Sequence, residues 1–158
     1  MRPIRSVMLV QPGADDRYQE VRAGYRRTPP PLGLVILAEL ARHKFPGVRI
    51  RVVDGSYTSM DEIKNALSSG EVDLLGLTNW FTNHNGCLEI ARFAKAQQPD
   101  CRVIFGGPNA GHLARQILRN REYVDAVVAE DGEDAFLAVL AGADYYSVKT
   151  SSFATAKG

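Results

Sequence analysis

Positions 101–109 read Cys-Arg-Val-Ile-Phe-Gly-Gly-Pro-Asn, and this stretch is the clearest guide to the architecture of the chain. Val103 to Phe105 is a short apolar run with two β-branched residues, which is typical of a buried strand. Gly106 and Gly107 follow at once, and Pro108 ends the run. Glycines at the carboxyl end of a strand let the backbone approach a bulky group, because no Cβ intervenes. A tight strand-to-helix turn is the simpler interpretation, so the neighbouring segments must decide between the two.

The composition indicates a single domain. A chain of 158 residues, of which 45% are hydrophobic, is long enough to bury a core. The formal net charge is only +1, so neither nucleic acid nor a membrane is favoured as a partner. No signal peptide or membrane-spanning run is recognisable, and we predict a cytoplasmic protein. Cys87 and Cys101 do not make a Cys-x-x-Cys pair, so we expect free thiols and no metal held by protein ligands.

Apolar strands alternate with amphipathic helices five times along the chain. The predicted strands cover residues 4–10, 48–53, 72–77, 103–105 and 124–128, and the predicted helices begin near residues 31, 60, 86, 112 and 134. The charged loop over residues 14–28 is longer than most strand-to-helix connections, and such loops are often functional. We predict one domain over residues 1–142, followed by a linker or frayed C-terminal tail over residues 143–158.

This alternation predicts an α/β fold of three layers, in which a five-stranded parallel sheet lies between helices. Arg49 and Arg51 give the second strand a polar face, which favours a place near the sheet edge. The strand order 2-1-3-4-5 of flavodoxin-like, or Rossmann-like, folds is therefore expected. In that order, ligands bind beyond the carboxyl ends of the first and third strands.

Four loops meet at these carboxyl ends, over residues 11–31, 78–85, 106–109 and 130–133. They bring glycine gaps, the polar side chains of Thr78 and Asn79, and an acidic turn to one edge of the sheet. Helix N-termini behind the loops point amide N–H groups into the same space. The carboxylates of Glu130 and Glu133 favour ligand groups that donate hydrogen bonds, such as amides, and their negative charge disfavours a second phosphate group.

Two flavodoxin-like classes are not supported by the residues. A flavin-phosphate loop needs a Ser/Thr-Gly cluster after the first strand, where this chain has Gln11-Pro12-Gly13-Ala14-Asp15-Asp16. A phospho-receiver domain needs a lysine after the fifth strand, where this chain has Glu130.

The chain instead resembles the cobalamin-binding domain that precedes the catalytic domain in many radical S-adenosylmethionine enzymes. The resemblance runs from about residue 4 to residue 142. It is carried by five motifs in the right order: Pro30-Pro31-Leu32-Gly33-Leu34, Asp54, Asp73-Leu74-Leu75-Gly76-Leu77-Thr78, Gly106-Gly107-Pro108, and Asp125 with Glu130-Asp131-Gly132-Glu133.

This resemblance implies that cobalamin is the cofactor and that it lies across the carboxyl edge of the sheet with its nucleotide tail inside the fold. Thr78 would lie beside the tail, the Gly106-Gly107 pair would make room for it, and residues 130–133 would border the corrin amides. The predicted cofactor-binding residues are Gln11, Pro12, Pro31, Leu32, Gly33, Thr78, Asn79, Trp80, Gly106, Gly107, Pro108, Asn109, Glu130, Gly132 and Glu133. No catalytic residue is predicted, and the only metal implied is the cobalt of the cofactor.

The chain departs from the wider pattern in three ways. No Asp-x-His-x-x-Gly follows the first strand, so no lower histidine ligand to cobalt is evident, and Ala129 stands where glycine is common. The Cys-x-x-x-Cys-x-x-Cys that holds an iron–sulfur cluster is absent from these 158 residues. The resemblance therefore implies a cobalamin-binding module of a methyltransferase-type enzyme. S-adenosylmethionine and the 4Fe-4S cluster would belong to a separate catalytic domain, present in cis or in trans.

Two other functions remain open on the sequence alone. A corrinoid-free interaction or regulatory domain would keep the fold and fill the slot with side chains such as Trp80 and Phe81. A nucleotide-binding α/β domain is the third alternative, because fold does not fix function. His84 and His112 are candidate cobalt ligands near the binding edge, although a surface or helix-start histidine is the simpler interpretation of each.

Overall fold

A computed structural model describes residues 3–16, 29–129, 131–144 and 153–155. The first five strands, in chain order, are β1 (Ser6–Gln11), β2 (Arg49–Asp54), β3 (Leu74–Thr78), β4 (Arg102–Gly106) and β5 (Ala126–Val128). The helices are α1 (Leu32–Lys44), α2 (Met60–Ser69), α3 (His84–Gln97), α4 (Pro108–Asn120) and α5 (Gly132–Leu140), with a 3-10 turn at Phe81–Asn83 and a short last strand, β6 (Phe153–Thr155).

The first five strands form a parallel sheet in the order β2-β1-β3-β4-β5, which confirms the predicted flavodoxin-like topology. Strand β6 adds to the far edge by pairing antiparallel with β5. It lies within residues 143–158, where we predict only a linker or frayed tail. A strand of three residues is too short to show an alternating hydrophobic pattern in the sequence. Its formation depends on pairing with β5, which the local sequence does not reveal.

The two faces of the sheet carry different numbers of helices. Helices α2, α3 and α4 cover one face and share a large apolar core with residues such as Val10, Leu75 and Phe105. Helices α1 and α5 cover the other, where Leu9, Leu74 and Ile104 form a smaller core. We call this second side the two-helix face. Since side chains alternate along a strand, Gly76 and Thr78 of β3 lie on the two-helix face together with Leu74.

Two aspartates that precede strands fix the register of their neighbours. Asp73 Oδ2 accepts hydrogen bonds from the backbone N–H groups of Arg5 (2.8 Å) and Ser6 (2.9 Å). Asp125 Oδ2 accepts one from the N–H of Val103 at 2.7 Å. These charge-assisted bonds satisfy donors at the starts of β1 and β4. Both aspartates belong to motifs that carry the family resemblance, and here each has a structural role.

Helix α4 begins at Pro108, four residues before the predicted start at residue 112. Proline suits the first turn of a helix because its fixed φ is helical and its missing N–H would have no intrahelical partner there. Only Gly107 therefore separates β4 from α4, and this short connection brings the N-terminus of α4 to the edge of the sheet. Helix α2 begins with a capping box formed by Ser59 and Glu62.

Candidate functional site

A cavity of about 580 Å³ opens at the carboxyl edge of the sheet, between the two-helix face and helices α1 and α5. Its volume falls within the range of roughly 300–1,000 Å³ that is usual for small-molecule sites. Apolar side chains form its inner walls, among them Leu9, Leu74, Ile104, Val128 and Phe136. Such a lining suits an aromatic or aliphatic group and does not suit a free phosphate.

The glycines of the cavity floor have different roles. A Cβ placed on Gly106 would meet no heavy atom within 4 Å, so the missing side chain leaves open space at the end of β4. A Cβ on Gly76 would lie 2.7 Å from Cδ2 of Leu9, so this glycine makes room for a core leucine. Of these two, only Gly106 enlarges the cavity directly.

Gly107 is required by the backbone itself. Its φ is +93°, and a Cβ there would lie 3.0 Å from both the backbone nitrogen and the carbonyl oxygen of Asn79. Side chains rarely adopt this conformation, so glycine is needed for the turn into α4 whatever ligand is present. The turn is held by two backbone bonds: Asn79 N–H donates to the Gly106 carbonyl at 2.7 Å, and Asn109 N–H donates to the Asn79 carbonyl at 3.1 Å.

Thr78 is the polar group best placed to contact a ligand. It lines the cavity at the end of β3, opposite Gly106 in the strand register. Its backbone carbonyl accepts a hydrogen bond from Asn83 Nδ2 at 3.2 Å, whereas its hydroxyl has no hydrogen-bond partner among the described residues. The hydroxyl can therefore donate to or accept from a bound molecule.

The cavity mouth is bordered by the segment before α1 and by Trp80, two residues after the end of β3. Pro29, Pro30 and Pro31 line it together with the half-exposed indole of Trp80. Gln11 joins the two: its Nε2 donates to the Pro29 carbonyl at 2.9 Å, and its Oε1 accepts from Trp80 Nε1 at 3.3 Å. The mouth is thus built from aromatic, proline and amide groups.

Most of the predicted cofactor-binding residues line this one cavity. They are Gln11, Pro31, Leu32, Gly33, Thr78, Trp80, Gly106, Gly107, Pro108, Gly132 and Glu133. Glu130 lies outside the described residues.

Three predicted residues are placed elsewhere. Pro12 borders a separate hollow beside α2 and α3. Asn79 is fully buried, and its Oδ1 accepts from Asn109 Nδ2 at 3.2 Å, so these two amides hold the turn beneath the cavity. The sequence alone does not distinguish these polar residues, because each follows a strand. The packing shows that Asn79 and Asn109 support the turn, whereas Thr78 lines the cavity.

The sequence reasoning missed the cavity walls and part of its mouth. The missed residues are Leu9, Pro29, Pro30, Leu34, Leu37, Leu74, Gly76, Leu77, Ile104, Val128, Ala129 and Phe136. A usable signal existed for some of them. Thr78 shares its face with Gly76 and Leu74, so alternation from Thr78 leads down the strand into the cavity.

The side chains that would fill the slot in a corrinoid-free domain do not fill it. Phe81 is 69% exposed and is not among the residues that line the cavity, while Trp80 is 41% exposed at the mouth. Neither His84 nor His112 is among the lining residues. His84 Nδ1 instead lies 3.0 Å from the side-chain nitrogen of Asn79. Within the part of the chain that the structure describes, no group of His, Cys, Asp or Glu could hold a metal ion.

Both cysteines are free and buried. Burial raises the pKa of the Cys87 thiol well above its usual range, and the charge of Asp15 adds to this. Burial likewise raises the pKa of Cys101 to about 11. Both thiols therefore stay protonated near neutral pH, which disfavours a nucleophilic role.

Across the described ranges, none of the helices combines the length and the apolar character that crossing a bilayer requires.

The comparisons with known proteins agree with this geometry. Residues 21–140 match the family model of the B12 binding domain. An uncharacterised methyltransferase of Pyrococcus horikoshii is 25% identical over 135 residues, which are 84% of this chain and 28% of that protein. The cobalamin-dependent radical SAM methyltransferase TokK of Streptomyces tokunonensis is 30% identical over 71 residues, 45% of this chain and 10% of that protein.

A solved structure supports the fold. The cobalamin-dependent S-adenosylmethionine radical enzyme OxsB, determined with aqua-cobalamin and S-adenosylmethionine bound, matches 89% of this chain with a TM-score of 0.68 at 15% identity, and the match covers 19% of that enzyme. The chain therefore spans less than a third of each of these relatives. Because the family model covers most of the sequence, the chain belongs to the B12-binding domain family, which confirms the predicted relationship and supports cobalamin as its cofactor.

Proposed function

We propose that this chain binds cobalamin with the nucleotide tail in the cavity on the two-helix face and the corrin ring across the cavity mouth. The observation that carries the proposal is the open space above Gly106, next to the hydroxyl of Thr78, for which the described residues provide no hydrogen-bond partner. Apolar walls suit the benzimidazole base of the tail, and Thr78 suits a polar group along it. The cavity is too small for a whole corrinoid, so the ring would lie outside, where Trp80 and the proline segment border it.

We further propose that the bound cobalamin serves a radical S-adenosylmethionine catalytic domain of the methyltransferase type. Two relatives are named as methyltransferases, one of them cobalamin-dependent and radical SAM, and both are long enough to contain a further domain. Bound cobalamin would supply methyl-transfer chemistry there, and S-adenosylmethionine and the 4Fe-4S cluster would belong to the catalytic domain. The residues of this chain would bind and orient the cofactor.

Titration with hydroxocobalamin tests cobalamin binding directly, by the change in visible absorption and by equilibrium dialysis. Thr78→Val keeps the β-branched shape and removes the hydroxyl, so we expect roughly 3- to 10-fold weaker binding. Thr58→Val, outside the cavity, should bind as the native chain does. FMN and ADP should not bind. Failure of the native chain to bind hydroxocobalamin would remove the proposal, and tight binding of FMN or ADP would favour the nucleotide-binding alternative.

A further inference from the structure

Gln11 is a buried amide whose two polar ends both reach the cavity mouth. Only 3% of its surface is exposed. Its side chain leaves the end of β1 and bridges the carbonyl of Pro29, before α1, and the indole nitrogen of Trp80, after β3. The two bonded groups belong to segments far apart in sequence, and both segments line the cavity.

The hydrogen bonds of Gln11 should add little to the stability of the fold, but they fix the position of the groups at the cavity mouth. Pro29 is exposed and Trp80 is 41% exposed, so without Gln11 both polar groups can bond to water. Losing the amide therefore leaves no buried polar group unsatisfied, which is the case in which stability changes little. What is lost is the fixed orientation of a large indole ring, because the buried amide of Gln11 holds the indole N–H in one place.

We propose that Gln11 is a positioning residue that holds Trp80 and the Pro29–Pro31 segment in place before a ligand arrives. A preorganised mouth lowers the conformational entropy lost on binding, so affinity depends on the bridge even where Gln11 makes no ligand contact. The identity of the ligand rests on the proposed function, whereas the bridge itself is a property of the free protein. The two can therefore be tested separately.

Gln11→Met tests the bridge, because methionine matches glutamine in length and volume but lacks its donor and acceptor. Trp80 is the only tryptophan of the chain, so its fluorescence reports on the mouth alone. We expect lower anisotropy and stronger acrylamide quenching of Trp80 in the free variant. Binding of hydroxocobalamin should weaken roughly 3- to 10-fold, the size expected for one or two lost hydrogen bonds.

Gln98→Met is the matched control. Gln98 also bridges segments with its amide, since its Nε2 donates to the carbonyls of Leu67 (2.6 Å) and Gly70 (2.7 Å), but it is not among the cavity-lining residues. We expect this variant to lose thermal stability with unchanged Trp80 fluorescence and unchanged cobalamin affinity.

Unchanged anisotropy and quenching in Gln11→Met would overturn the bridge. Altered Trp80 fluorescence with native cobalamin affinity would overturn its role in positioning the site. If the native chain binds no cobalamin, the proposed function fails, while the fluorescence of the free variants still decides whether the bridge holds Trp80.

Discussion

Replacing Gly106 by leucine should block the cavity without harming the fold. A Cβ at this position meets no heavy atom within 4 Å, so the leucine side chain extends into the space that we assign to the nucleotide tail. Glycine is unfavourable in a strand by about 0.5–1 kcal/mol relative to alanine, so the substitution should leave stability unchanged or raise it slightly. The melting temperature should therefore stay the same or rise by about 2–4 °C.

The effect on cobalamin binding follows from the surface that the tail can no longer bury. An aromatic group of this size buries about 150–250 Å², and at about 25 cal/mol per Å² this corresponds to about 4–6 kcal/mol. Immobilising the tail offsets part of that gain. We expect a net loss of about 3 kcal/mol, or roughly 100-fold in affinity.

Cobinamide sharpens the measurement, because it has the corrin ring but lacks the nucleotide tail. Isothermal titration should show that the native chain prefers cobalamin to cobinamide and that Gly106→Leu removes this preference while leaving cobinamide binding unchanged. Gly47→Leu is the control, since Gly47 also has no heavy atom within 4 Å of its Cβ position but is remote from the cavity. Native cobalamin affinity in a folded Gly106→Leu variant would refute the assignment of the tail to this cavity.

Three further predictions concern stability. Gly107→Ala should lower the free energy of unfolding in urea by about 1–2 kcal/mol, because alanine is strained at a φ of +93°; an unchanged midpoint contradicts this. Asp73→Ala should lower it by about 2 kcal/mol, because two strand-start N–H groups lose a charged acceptor, whereas Asp100→Ala should have no effect. Burial holds the pKa of Cys101 at about 11, above its ordinary 9.0, so stability should fall as pH rises from 9 to 11, and less steeply in Cys101→Ala.

The sheet topology could be predicted from the sequence because several independent features of the sequence indicate the same strand order. Five apolar runs at regular spacing predict the parallel sheet, and the arginines of β2 predict that it lies at the edge, where the structure has it. Strand β6 could not be predicted, since three residues have no periodicity to read and gain their hydrogen bonds only from β5. A strand or helix can be predicted from local sequence only when it is long enough to show its own hydrophobic periodicity.

The candidate site was predicted in outline and not in depth. Loops such as the one around Thr78 can be placed at the carboxyl edge from strand order alone, which explains why most predicted residues line the cavity. Whether Asn79 faces the ligand or supports the turn depends on the positive φ of Gly107, a property of the backbone. The apolar walls were missed because Leu9, Leu74 and Ile104 belong to the core of the two-helix face as well as to the cavity, and their sequence pattern indicates only the core role.

The unequal cover of the two faces explains both where the cavity lies and how it can exist in a stable domain. Three helices cover one face, and its core extends to the carboxyl ends of the strands at Val10 and Leu77. On the other face α1 packs against β1 and β2 and contacts α5, and the cavity lies at the ends of β3 and β4 beside these two helices. The apolar contacts at Leu74 and Ala126 still close this face farther down. Substitutions at Gly106 and Thr78 should therefore alter binding before they alter folding, whereas Gly107, one residue away, is required for the turn into α4.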